Sequence, residues 1–123
     1  MDAAINLAAK LATFDDRWKP RIVGMLNDYK VVVVKVEGEF VWHQHDETDD
    51  FFLVVAGHLS IDLREDGAER TVELDAGELF VVPAGVQHRP RAASETHVLL
   101  IEPVDTVNTG DAGGPLTADA QAI

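Results

Sequence analysis

The sequence predicts an all-β protein, an antiparallel sandwich or barrel with one short helix in front. Three observations carry that prediction. Short β-branched or alternating apolar runs recur between residues 30 and 102, with turn residues between them at regular spacing. Asp66-Gly67 and Asp75-Ala76-Gly77 lie between such runs, where antiparallel strands reverse. Helical periodicity is confined to 2–14, DAAINLAAKLATF, where Leu7, Leu11 and Phe14 share a stripe and Asp2 is placed to cap it. The expected organisation is a helical segment over 1–16, one β domain over 17–103 and an extended tail over 104–123.

Residues 17–26 suit an edge strand, because Pro20 and Gly24 would disturb a central one. Asn27-Asp28 is a turn. Residues 30–36 are β-branched at nearly every position, which predicts cover on both faces, from a second sheet or a partner subunit. Glu37-Gly38-Glu39 turns the chain into a strand holding His43 and His45. A strand over 50–56 ends at Gly57. In 58–64, Leu59, Ile61 and Leu63 alternate with His58, Ser60, Asp62 and Arg64. Residues 70–74 form a short strand. Residues 79–82 form a buried one, closed by Pro83 and a turn at Gly85. The last two strands are 87–92 and 97–102. The tail from Val104, rich in Gly, Ala, Asp and Thr, reads as an extended segment or loose end.

With 123 residues the chain suits one domain with a real core. A net charge of −12 argues against nucleic acid and anionic membranes, both of which need clustered Lys and Arg. The absence of cysteine excludes disulfides and thiolate chemistry. No apolar run approaches the ~20 residues that span a bilayer. The first residues lack the basic start and apolar core of a secretion signal, so a cytoplasmic protein is expected.

The chemistry concentrates in GEFVWHQHDETDDFFLVVAG, residues 38–57. On a strand, residues i and i+2 share a face, which puts His43 and His45 on one side. Glu47, Asp49 and Asp50 follow at a turn that can swing a carboxylate back, with Asp50 the candidate. A third histidine, His88, follows the Gly77, Pro83 and Gly85 of GELFVVPAGVQH. Three imidazoles and a carboxylate suit one divalent transition metal, whether Fe, Mn, Ni, Co or Zn. Strand parity turns Trp42 and Phe51 away from the cavity and Phe52 and Val54 toward it. Arg89 and Arg91 have the opposite parity to His88 and should point outward. His58 follows a turn glycine and should be exposed. Glu47, Asp49 and His97 are the candidate bases beyond the metal shell.

Both motifs resemble those of the cupin family. Its first has the form G-x5-H-x-H-x3/4-E-x6-G, matched here by Gly38, His43, His45, Asp50 and Gly57, with a first spacer one residue short and Asp for Glu. Its second has the form G-x5-P-x-G-x2-H-x3-N, matched by Gly77, Pro83, Gly85 and His88, with Ala92 for the closing Asn. The resemblance implies a small jelly-roll β-barrel (a double-stranded β-helix) and a metal held by His43, His45, Asp50 and His88, or, since Asp has one methylene less of reach than Glu, by the three histidines with Asp50 behind them. Such cupins include dioxygenases, decarboxylases, isomerases and binding proteins without turnover, and are often labelled as similar to mannose-6-phosphate isomerase. A phosphosugar wants inward Arg or Lys, which the parity of Arg89 and Arg91 opposes. The expectation is a metal-dependent enzyme of dioxygenase or isomerase type acting on a small oxygen-rich molecule. The alternative is a non-catalytic binding or sensor module. A homodimer is expected from the apolar run at 30–36 and the edge at 17–26.

Overall fold

The computed structural model describes residues 3–123, so Asp2, the expected helix cap, lies outside them. The helix is shorter than 2–14: α1 spans Leu7–Leu11. Asn6 is the cap, its side-chain oxygen accepting the Ala9 N–H at 2.9 Å, and its extended backbone ends the helix there. Thr13 bonds back to the Lys10 carbonyl and the chain leaves the helix. Leu11 and Phe14 are nevertheless buried on one side, as the stripe requires.

Eight strands follow: β1 Arg21–Leu26, β2 Tyr29–Glu39, β3 Asp50–Ala56, β4 His58–Glu65, β5 Ala68–Asp75, β6 Leu79–Val82, β7 Gln87–Pro103 and β8 Gln121–Ala122. They form a sheet of order β5-β4-β7-β2-β1-β8, with β3 bridging β7 and β6. The sheet folds over a core without closing by pairing, since β5 and β8 end the path. β7 is its spine. Along one edge it pairs with β2. Along the other it pairs first with β4, from Gln87 to Arg91, and then with β3, from His97 to Leu99. Where β3 gives way to β4, Gly57 has φ +93°, and a Cβ there would lie 2.6 Å from Thr96 Oγ1. Only glycine fits that approach.

Inward residues of β2, β3, β4 and β7 make the main core, including Val34, Phe52, Val54, Ile61 and Val98. The opposite face of β2 is covered as well, but by neither a second sheet nor a partner. Val33 packs under Leu11 and Phe14 of the same chain, and Lys35 Nζ donates to the Phe14 carbonyl at 2.6 Å. The β-branched run is therefore buried on both sides within one chain.

Several expectations change. β1 begins only at Arg21, after Pro20, and takes up Gly24 at a register shift. Glu37-Gly38-Glu39 is not a turn: Gly38, at φ +84°, forms a bulge inside β2. The segment holding His43 and His45 is irregular, with one isolated bridge from His43 to His88. β6 is only half buried, because Leu79 and Val81 point to the surface while Val82 points inward. The two last expected strands are one, with an exposed Ala93-Ser94-Glu95 stretch in its middle. The tail is not loose. Thr109 is fully buried, and β8 pairs in parallel with β1. Among the described residues no helix is long and apolar enough to cross a membrane.

On the outer face of β4, Asp62 accepts hydrogen bonds from Arg91, Thr71 and Arg89. Arg91 above all holds the Asp62 carboxyl well below the usual carboxylate range. The native state thus favours its ionised form, and the stabilisation is complete above the unfolded pKa and lost as pH falls. Asp62→Asn should cost about 1–2 kcal/mol at pH 7. Urea unfolding across pH should show the difference from wild type shrinking below about pH 4.

Candidate metal centre

Two chain segments distant in sequence are joined by reciprocal backbone bonds. The His43 N–H donates to the His88 carbonyl at 3.0 Å, and the His88 N–H donates to the His43 carbonyl at 2.8 Å. The Phe40 N–H donates to Pro90, and the Gly85 N–H to His45, on either side of that pair. Gly85, at φ +82°, supplies the left-handed turn that lets 85–90 run beside 40–45. His43 and His88 thereby face each other with ring centroids 4.3 Å apart and their planes tilted by 49°, and His45 stands 5.1 Å from His43, centroid to centroid. Asp50, at the start of β3, completes the group. Its Oδ2 lies 2.8 Å from His88 Nε2 and 3.3 Å from His45 Nε2. One donor atom from each of His43, His45, Asp50 and His88 lies within 4.8 Å of the others.

The second nitrogens fix how these rings present themselves. His43 Nδ1 is 2.9 Å from the Val41 carbonyl, and His88 Nδ1 is 2.9 Å from the Val86 carbonyl. Carbonyls only accept, so both Nδ1 atoms carry protons and Nε2 faces the centre. Burial is the main force holding His43 neutral, lowering its pKa to about 4, and the neighbouring His88 adds to it. For Asp50, burial works against the charge, but the bonds to His45 and His88 outweigh it and hold its pKa at about 2. For His45, burial also opposes the charge, and the bond to Asp50 prevails, raising its pKa. A neutral imidazole and an ionised carboxylate aimed at one point are a cation's ligand set, and the held Nδ1 protons are the support such ligands receive elsewhere. The residues therefore fit a divalent ion.

The group opens into a cavity of about 70 Å³ inside the sheet. Its walls are apolar, with Val34, Val36, Phe40, Phe52, Val98 and Leu100 among them. The tail forms part of the wall through Asn108, Ala118 and Ala120. It docks where Gln44 N–H donates to Asp111 Oδ1 at 2.9 Å and where Gly110 lies so close that a Cβ would meet the Gln44 carbonyl at 2.3 Å.

Most sequence-predicted positions are where expected. Phe52 lines the cavity. Val54 is buried in the core behind it. Trp42 faces outward beneath the Arg64 guanidinium, which is 3.7 Å from its ring. Arg89 and Arg91 are outside, bound to Asp62. His58 is exposed, between Asp75 and Glu73. The candidate bases are not in the site. Asp49 accepts the Ala84 N–H, His97 is paired with Glu95, and Glu47 borders an outer groove. Two cavity residues went unnoticed in the sequence, Lys30 and Glu102. They are cross-strand partners on β2 and β7, and both line the cavity. The signal was there: Lys30 shares parity with Val32, Val34 and Val36, and Glu102 with Val98 and Leu100.

Residues 30–104 match the model of the cupin domain family. This chain belongs to the cupin family. A cupin-2 domain protein from Shewanella frigidimarina is 44% identical, with a TM-score of 0.76, over 80% of this chain and 93% of that one. The hydroquinone 1,2-dioxygenase of Sphingomonas sp. TTNP3, solved with 4-nitrophenol, is 25% identical with a TM-score of 0.73, over 82% of this cupin and 32% of the enzyme. A 3-hydroxyanthranilate 3,4-dioxygenase of Xanthomonas campestris is 32% identical over 60 residues, 49% of this chain and 34% of the relative. This cupin thus spans about a third of the length of either dioxygenase.

The arrangement predicts that metal-free protein binds one equivalent of Zn²⁺ at pH 7, read by competition with a chromophoric chelator. His88→Ala should weaken binding by more than about 100-fold, beyond the loss typical of outer-shell partners. An unchanged affinity would remove His88 from the ligand set.

Proposed function

We propose that this cupin is a metal-dependent dioxygenase for a small phenolic compound, with His43, His45, Asp50 and His88 as ligands of one divalent transition ion. The observation that carries the reading is a buried four-donor group opening onto an apolar-walled cavity. The relatedness to two dioxygenases of hydroxylated aromatic compounds supports it. When bound, such an ion supplies a Lewis-acid centre with coordination positions free for substrate and dioxygen. In a dioxygenation both oxygen atoms enter the product, so no external reductant is required.

The chain's own residues supply the rest. The Val41 and Val86 carbonyls hold the His43 and His88 rings in one tautomer and one orientation. Phe52 stands edge-on to His88 at 6.0 Å and, with Val34 and Leu100, offers flat apolar surface to a ring while excluding water. Charge favours a neutral substrate. Lys30 is the single lysine or arginine among the lining residues, and the groove bordering His45 carries Asp46, Glu47, Asp105 and Asp111. A phosphosugar isomerase is disfavoured on the same ground, with Arg89 and Arg91 tied up outside.

Protein purified without a tag should contain near-stoichiometric metal by mass spectrometry, and His43→Ala/His88→Ala should contain none. Iron-loaded protein should consume dioxygen with catechol or hydroquinone and more slowly with 3-hydroxyanthranilate, which carries a carboxylate. Bound metal without oxygen uptake would leave a non-catalytic binding module.

We also infer a homodimer, on a different surface from 30–36, which the chain covers itself. Met25, Leu26, Tyr29 and Val104 are exposed at one end of the β1–β2 hairpin, where the Val104 N–H bonds to the Asp28 carbonyl. Light scattering should give twice the 13.4 kDa chain mass at micromolar concentration, and a monomer on Leu26→Glu. A wild-type mass of 13.4 kDa would rule the dimer out.

A further inference from the structure

Glu102 is 8% exposed and lines the cavity that the four-donor group opens into. A carboxyl buried to that degree normally has at least one hydrogen-bond partner. Among the described residues none donates a hydrogen bond to it. Its nearest cation is Lys30, whose Nζ stands 3.8 Å from Oε2, too far for a hydrogen bond. One Lys30 N–H donates to the Thr106 carbonyl at 3.0 Å. The two form an ion pair across β2 and β7 without a hydrogen bond between them. This leaves an acceptor with spare capacity in an apolar chamber.

We propose that Glu102 is the ligand-recognition residue of this cavity, accepting a hydrogen bond from a hydroxyl or amino group on a molecule whose other end faces His43, His45, Asp50 and His88. The ligand class is a small, neutral or cationic aromatic compound with a hydrogen-bond donor at each end, of the phenol or aminophenol kind. This rests on the reading of the site as one for phenolic compounds, and it narrows it. Burial raises the Glu102 pKa to about 7, with Lys30 opposing and Asp50 adding to the rise. The residue can thus also hold a proton taken from such a donor near neutral pH. The Lys30 charge, 3.8 Å away, favours the charged, accepting form. Apolar walls with one unsatisfied polar group are how a site rejects an analogue lacking the matching donor.

The test uses zinc-loaded protein, which binds without turning over, and calorimetric titration with hydroquinone, 4-aminophenol and 1,4-dimethoxybenzene. Wild type should bind the first two and show no measurable binding of the dimethyl ether. Glu102→Leu should weaken hydroquinone binding roughly 10- to 100-fold, the range for a lost hydrogen bond to a charged group. Glu102→Gln, which keeps the shape and can still accept, should be weakened only several-fold, and it serves alone if Glu102→Leu does not fold. Zn²⁺ affinity should stay within about twofold in both, a readout that a purely structural role would move. Equal hydroquinone binding by wild type and both variants overturns the proposal, as does wild type that binds neither donor. The broader reading is judged separately by oxygen uptake of the iron-loaded protein. Uptake without Glu102-dependent binding sinks only the recognition role. Glu102-dependent binding without uptake sinks only the dioxygenase.

Discussion

The pair of backbone hydrogen bonds between His43 and His88 is the constraint on which the rest of the site depends. It joins an irregular segment to the start of the longest strand, and with that one contact both rings face the same point. Each ring is then locked by a carbonyl two residues before it, Val41 for His43 and Val86 for His88. Repeating that local device in both segments gives the same tautomer twice. Asp50 adds the charge, and burial makes it matter: in a low-dielectric setting a carboxylate between imidazoles is a far stronger attractor for a cation than at the surface.

The sheet around this pair is arranged to keep it dry. β7 carries His88 at one end and Glu102 at the other, with Pro90, Ala92, Val98 and Leu100 between them on the same inward parity. β2 runs beside it with Lys30, Val34 and Val36 facing the same space. One two-stranded ladder thus sets the metal-facing end and the polar far end of a single chamber. The tail closes the chamber from the side, and Gly110 allows the close approach to Gln44 between the two histidines.

The fold was legible because its signals are local: turn glycines, alternation and β-branched runs each act within a few residues. The metal group was legible for the same reason, since histidine spacing and a glycine-proline-glycine turn survive as text. What was not legible depends on contacts between distant residues. The cover over β2 came from Phe14 and Leu11, and no pattern in 30–36 says whether a neighbour, a sheet or a partner supplies it. The His43–His45 segment has strand-like spacing, but past the bulge at Gly38 it keeps only scattered backbone bonds to 85–90 and a single bridge. The tail has little apolar periodicity because it docks through Asp111, Thr109 and glycine rather than through a hydrophobic stripe.

Glu102 shows that strand parity reaches further than closeness in sequence. The acids next to the histidines, Asp49 and Glu47, lie outside the chamber. The acid that faces it is 14 residues beyond His88 along the same strand, on the face already assigned to apolar side chains. A charged residue that continues an inward apolar parity either carries a partner or waits for one. Lys30 is the cross-strand partner by register, yet its ammonium is turned to Thr106. Desolvation is costly for a carboxyl left this way. A donor entering the chamber relieves that cost, so on the proposed reading the far end of the cavity selects the ligand as much as the metal-facing end does.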